Sequence, residues 1–191
     1  MSSVSFSIFA EPMDHEFTTS TISIKKIGYK VDGTGIKTHC SCHTLKSVDY
    51  FHEDEGDITL IEFSDLEAQN AQILSRIEKL KNSGMAKSDV VKFVKELHRT
   101  IPNEMRKKFL DSIHILRCMN DSISDIPEWA ANREKGKYII VVAPIAELAP
   151  PEQKADLVRL LDKLKSQLTL SIPDPLFKGV NVLPLDRFIQ N

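Results

Sequence analysis

Val48-Asp49-Tyr50-Phe51-His52-Glu53-Asp54-Glu55-Gly56-Asp57-Ile58-Thr59-Leu60-Ile61-Glu62-Phe63-Ser64-Asp65 is the stretch on which the fold turns. Two runs rich in β-branched and aromatic residues, Leu45 to Phe51 and Asp57 to Phe63, flank the polar segment His52-Glu53-Asp54-Glu55-Gly56, which predicts an antiparallel hairpin with a longer loop. Side chains alternate between the two faces of a strand. A hairpin symmetric about the 52–57 loop therefore sets residue 49 opposite 60 and residue 47 opposite 62, with Asp49, Glu62 and Ser64 on one face beside Leu60.

Upstream, Ser5 to Phe9 and Thr21 to Tyr29 read as strands, and Asp32-Gly33-Thr34-Gly35 as a turn. Downstream the apolar period changes from about 2 to about 3.6 residues. Leu66, Ile73, Ile77 and Leu80 predict a first helix ending near Lys81. Val91, Val94 and Leu97 predict a second, capped by Ser88 and stopped before Pro102, and Met105, Phe109, Ile113 and Leu116 a third that frays near Asn120 to Ser124. Lys137 to Ala143 is continuously apolar at its centre, as in a strand covered on both faces. Pro150-Pro151-Glu152 opens a helix carrying Leu157, Leu161, Leu164 and Leu168. Gly179 to Leu185 gives a last strand that Pro184 places at a sheet edge.

Strands, then helices over about 65–120, then strand, helix and strand make the expected architecture an α/β domain with a mixed central sheet and flanking helices. A length of 191 residues suits one domain over 1–191, and 41% hydrophobic with 27% charged residues are globular values. No apolar run approaches the roughly 20 residues that cross a bilayer. The start of the chain reads as mature sequence without a signal peptide, and three cysteines do not make a disulfide framework, so the expected setting is a reducing cytoplasm. A formal charge of −2 provides no global field for a polyanion, so any DNA contact is local or shared with a partner.

Two carboxylates on neighbouring strands suit a hard divalent cation such as Mg²⁺, which takes oxygen ligands and can act at a phosphodiester. Asp49 and Glu62 are the candidate metal ligands. A second candidate site gathers His39, Cys40, Cys42 and His43 with His114 and Cys118, residue types that suit zinc, although Cys-x-Cys is a tighter spacer than zinc sites use. His114 and Cys118 are expected opposite the apolar stripe of their helix. No phosphate-binding Gly-rich loop and no serine-nucleophile elbow is present.

Val48-Asp49-Tyr50-Phe51, the acidic turn, and Thr59-Leu60-Ile61-Glu62-Phe63-Ser64-Asp65 resemble the Asp…Glu-x-Lys hairpin of the PD-(D/E)xK nuclease superfamily, particularly small bacterial members. Lys107-Lys108-Phe109-Leu110-Asp111-Ser112-Ile113 is similar to a Lys-x-x-x-Asp-Ser stretch on a following helix of such proteins. The resemblance implies a restriction-endonuclease-like core with a helical middle segment, and Asp49 and Glu62 as metal-binding acids.

Ser64 stands where the resemblance calls for lysine, and Ser64-Asp65-Leu66-Glu67 also reads as a helix capping box. A serine cannot supply the positive charge that stabilises a reacting phosphate. Two functions follow. In the first, the chain is a nuclease-like protein with impaired catalysis, an interaction or structural subunit with protein partners in a prokaryotic complex such as one of antiphage defence, needing no cofactor. In the second it is a Mg²⁺-dependent nuclease using Asp49, Glu62 and a relocated lysine, Lys108, which leans from its helix toward the hairpin; Lys46 points to the face opposite Asp49. An unrelated α/β adaptor would separate Asp49 from Glu62.

Overall fold

The computed structural model describes residues 3–18, 20–131, 136–144 and 151–190. In chain order the elements are β1 (Val4–Ser5), a 3-10 turn (Phe6–Phe9), β2 (Ala10–Pro12), β3 (Ile27–Lys30), α1 (Ile36–His39), β4 (Tyr50–Asp54) and β5 (Asp57–Ser64). They continue with α2 (Leu66–Lys81), α3 (Lys87–Cys118), β6 (Ile123–Ser124), α4 (Glu128–Ala131), β7 (Gly136–Val142), α5 (Pro151–Ser171), β8 (Phe177–Pro184) and α6 (Leu185–Gln190). Six strands form a mixed sheet in the order β2-β3-β4-β5-β7-β8. The first four pair antiparallel, and β5, β7 and β8 run parallel. The α/β class expected from the sequence is the class observed. Among the described residues no helix is long and apolar enough to cross a membrane.

The apolar run of β7 explains its place between β5 and β8. Tyr138, Ile140 and Val142 face one core and Val141 the other, so both faces of the strand need cover. The larger core lies under α2, α3 and α5, where Phe109 of α3 packs against Tyr138 with ring centroids 5.3 Å apart. The smaller one, on the opposite face, joins Met13, Phe17, Tyr50, Ile61, Leu185 and Phe188. β5 alternates between them, with Leu60 toward the α3 side and Ile61 away from it. Glu62 and Ser64 fall in phase with Leu60 and are therefore carried under α3. β8 is an edge strand, as its proline requires.

The hairpin differs from expectation in register. Its turn is only Glu55-Gly56, both with positive φ, 55° and 81°, the backbone of a tight two-residue hairpin turn. The Gly56 N–H donates to the Glu53 carboxylate at 2.6 Å. Glu53, Asp54 and Asp57, read from the sequence as loop or its margin, are paired strand residues, and Leu60 faces Phe51 rather than Asp49. The pairing shifts by two residues. An even shift leaves every side chain on its face, so the expected shared face survives the corrected register.

The second and third expected helices are one. α3 runs unbroken through Pro102 for 32 residues, a rod of about 48 Å at 1.5 Å per residue. The proline deprives the carbonyl of residue 98 of its helical partner, and His98 is exposed, so water can take that bond. The helix starts at Lys87 with Ala86 as its N-cap, not Ser88, and Val91 is exposed while Val94 and Leu97 are half-buried. Of the expected N-terminal strands Ser5 to Phe9 and Thr21 to Tyr29, only Ser5 and Ile27 to Tyr29 are strand; Phe6–Phe9 is a 3-10 turn, and strand resumes at Ala10–Pro12. Pro150, placed by the sequence in the first turn of α5, lies outside the described residues.

Candidate active site

Glu62 extends from β5 under α3 and is 1% exposed. One of its carboxylate oxygens accepts a hydrogen bond from the Lys108 Nζ of α3 at 2.5 Å. The other, Oε2, is buried with no hydrogen-bond partner among the described residues. Asp49 immediately precedes β4. Its N–H donates to the Ile61 carbonyl at 3.0 Å, its carbonyl accepts from the Val31 N–H at 2.9 Å, and its Oδ2 accepts from the Phe63 N–H at 2.7 Å. Asp49, Glu62 and Lys108 thus meet on one cavity of about 530 Å³, at the carboxyl end of β5, a usual place for ligands in α/β sheets. An exposed lysine with a freely solvated head does not describe Lys108, whose side chain is 21% exposed.

Burial, reinforced by the negative charge of Asp49, pushes the Glu62 carboxyl up to about 8 against the opposing pull of Lys108. Burial also raises Asp49, partly offset by the Phe63 N–H and by Lys108. For Lys108 burial acts downward, but pairing with Glu62 outweighs it and the ammonium is held above its usual value. The lysine stays charged while Glu62 gives up its proton only with difficulty.

The rest of the lining adds the acids Asp14, Glu16, Asp32 and Asp65 against the cation Lys30. Lys30 is already paired with Glu11 at 2.9 Å. Burial raises Asp32, yet its hydrogen bond to Lys37 and the Gly33 N–H bring it below the usual carboxylate range. So acidic a cavity repels a phosphate unless a cation enters first. The buried, unpartnered Glu62 Oε2 and the hard-oxygen donors of Asp49 and Glu62 fit Mg²⁺, which commonly takes one or two carboxylates and keeps water on its remaining positions.

The Lys-x-x-x-Asp-Ser run holds the hairpin in place. Asp111 Oδ2 accepts from the Lys46 N–H at 2.9 Å and Ser112 Oγ accepts from the Val48 N–H at 2.9 Å. Lys46, expected on the face opposite Asp49, instead sits on the α3 side, where it precedes the strand and pairs its ammonium with Glu104 at 2.7 Å. Ser112→Ala orphans a buried amide next to Asp49, and unfolding in urea is expected to show a loss of about 1–3 kcal/mol with an unchanged slope.

Ser64 is not the cap of α2. β5 continues through it, paired with Val142, and its buried hydroxyl accepts from Gln69 Nε2 at 3.0 Å. Asp65, the first residue beyond the strand, is the N-cap and accepts from the Ala68 N–H at 3.0 Å.

The His39, Cys40, Cys42, His43, His114 and Cys118 set assembles only in part. Ser41, with φ 56°, turns Cys40 and Cys42 toward Cys118, which is half-buried beside them rather than on the open face of α3. Burial is the main cause that drives the Cys40 thiol up to about 12. His43 and His114 are exposed, and His39 packs its ring edge against Phe9. Among the described residues no three His, Cys, Asp or Glu side chains are grouped as a metal centre.

Sequence reasoning missed Lys30, Asp32, His15 and Gln69 in the cavity wall. Asp32 was legible only as a turn former. Gln69, four residues beyond the N-cap, could have been found from the helix start. Compared with known proteins, the chain matches no family model, no curated protein and no solved structure.

Proposed function

We propose that the cavity is a Mg²⁺-dependent phosphodiesterase site acting on nucleic acid, with Asp49 and Glu62 as cation ligands and Lys108 as the charge that a PD-(D/E)xK hairpin otherwise carries two residues after its glutamate. The observation that carries this reading is the 2.5 Å contact of Lys108 Nζ with Glu62, which brings an ammonium from α3 to a hairpin whose own lysine position is Ser64. A cation held by the two acids would polarise the phosphodiester and offset its charge. Asp49 is held by the Phe63 amide, which fixes its orientation before any ligand arrives. Lys108, fixed on a long helix, offsets negative charge that grows on the phosphoryl oxygens as water's oxygen bonds to phosphorus and gives up a proton to solvent, while one P–O ester bond breaks and its leaving oxygen takes a proton from solvent.

A second reading draws on the same serine. Ser64, neutral and bonded to Gln69, supports a nuclease-like subunit with impaired catalysis that works through protein partners in a prokaryotic defence complex. Calorimetric titration with Mg²⁺ and Mn²⁺, followed by cleavage assays on DNA and RNA, decides between the two. The enzyme reading expects cation binding and metal-dependent cleavage by the wild type, and at least about a hundredfold loss in Asp49→Asn. Neither cation binding nor cleavage of any nucleic acid would leave the subunit reading standing.

A further inference from the structure

Two of the three cations of α2, Arg76 and Lys79, share one flank, while the third, Lys81, falls on the side of the acids. At about 100° per residue, Leu66, Ile73 and Ile77 point one way into the core. Gln69, Gln72, Arg76 and Lys79 then share an arc of about 80° on one flank, at i, i+3, i+7 and i+10, and Glu67 and Glu78 fall on the other. The flank begins in the cavity wall with the neutral Gln69, which donates to Ser64, and its cations Arg76 and Lys79 follow about two to three turns further along the helix. Gln72, Arg76 and Lys79 continue outward from it and are exposed. Arg76 and Lys79 carry no ion pair among the described residues. In a chain of net charge −2, whose cavity is dominated by acids, this is a local cationic path leading from the chemistry to the outside.

We infer that this flank of α2 is a track for the sugar-phosphate backbone of the nucleic-acid strand that leaves the cavity, an inference that rests on the phosphodiesterase reading and gives the strand named there its path over the surface. Amide and guanidinium groups suit phosphate oxygens, and Lys79 adds a point charge. From Gln69 to Lys79 the flank covers about 15 Å of helix. Acids on this side would repel the strand, and the only acids of the helix proper sit on the opposite side. The exposed positions tolerate substitution without loss of core.

The test measures binding of a fluorescent 30-base-pair DNA duplex and of its single strand, by anisotropy across a salt series in Ca²⁺, for the full chain. Arg76→Glu/Lys79→Glu is compared with a charge-matched control on α5, Lys163→Glu/Lys165→Glu. The track variant is expected to bind at least about tenfold more weakly and to lose about 1.8 from the salt slope, the share of two phosphate contacts. The control should change neither. Equal losses in both variants would mean a diffuse field and overturn the track, as would unchanged binding in the track variant. Hydrolysis of bis(4-nitrophenyl) phosphate, too small to reach Arg76, separates the two claims. If the wild type hydrolyses it and the track variant retains that rate, a binding result against the track overturns the track alone. If the wild type has neither that activity nor metal-dependent nuclease activity, the phosphodiesterase reading fails, whatever the duplex does.

Discussion

Under the proposed phosphodiesterase reading, replacing Lys108 with alanine is expected to cut metal-dependent cleavage by about 10²–10³, the usual cost of removing one preorganised charge from a transition state. The effect on stability should be far smaller at neutral pH. Breaking a buried ion pair usually costs several kcal/mol because it strands a charge. Here the stranded partner has an escape: Glu62 already titrates at about 8, and without the ammonium it moves higher and keeps its proton. The stability deficit of Lys108→Ala should therefore be slight at pH 6 and grow above pH 8, where the wild-type pair is fully charged and the variant must either hold a proton or bury an anion. Urea unfolding at pH 6 and pH 9, beside cleavage rates for Lys108→Ala and Lys108→Met, measures both halves. A deficit that is large and equal at the two pH values would contradict this account of the pair.

Glu62→Gln is expected to stabilise the metal-free protein at alkaline pH and, under the proposed reading, to eliminate cation binding. The folded-state value of Glu62 is raised from 4.5 to about 8, so the folded state holds the proton more tightly than the unfolded chain does. That advantage is fully present below pH 4.5 and is lost as pH rises through 8. Glutamine does not titrate, so the variant's stability relative to wild type should climb across that window. Added Mg²⁺ or Mn²⁺ reverses the order. A cation that binds only the folded wild type raises its melting temperature by mass action, and the variant gains nothing. Melting curves at pH 5, 7 and 9 with and without the cation are the measurement. A constant difference between the two proteins across pH would remove Glu62 as the titrating group.

Much of this arrangement was legible because it depends on periodicity. The apolar centre of β7 required cover on both faces, and the alternation along β5 put Glu62 in phase with Leu60. Turn length and helix continuity were not legible, because both depend on tertiary balance. Glu55 adopts positive φ without being Asn or Gly, so the two-residue turn carried only half of its usual signature. Pro102 looked like a stop, but its cost is local and the packing of Ile101, Met105 and Phe109 continues across it. The candidate site divided in the same way. The carboxylates were found from strand phase, whereas the lysine's reach from α3 depends on how far that helix sits from the sheet, a distance no spacing encodes. Ser64 illustrates the opposite error, a local capping pattern overridden by one more residue of strand pairing with β7.

The parallel pairing of β5 with β7 also predicts an order of assembly. Glu62 lies beside Ile140, with α2, α3 and α4 threaded between them in the chain. Closing so long a loop costs entropy before any contact repays it, and such non-local pairing is slow. The β4–β5 hairpin needs no such closure and can form on the microsecond scale. The two acids are therefore brought side by side early, as neighbours in a solvated ribbon, where water screens their repulsion. Only when α3 and β7 dock does the ribbon lose its water, and Lys108 arrives with the helix that does the desolvating. The ammonium is thus delivered at the step that makes the acids' mutual repulsion expensive, and substitutions at Lys108 should register in the late phases of folding rather than in hairpin formation.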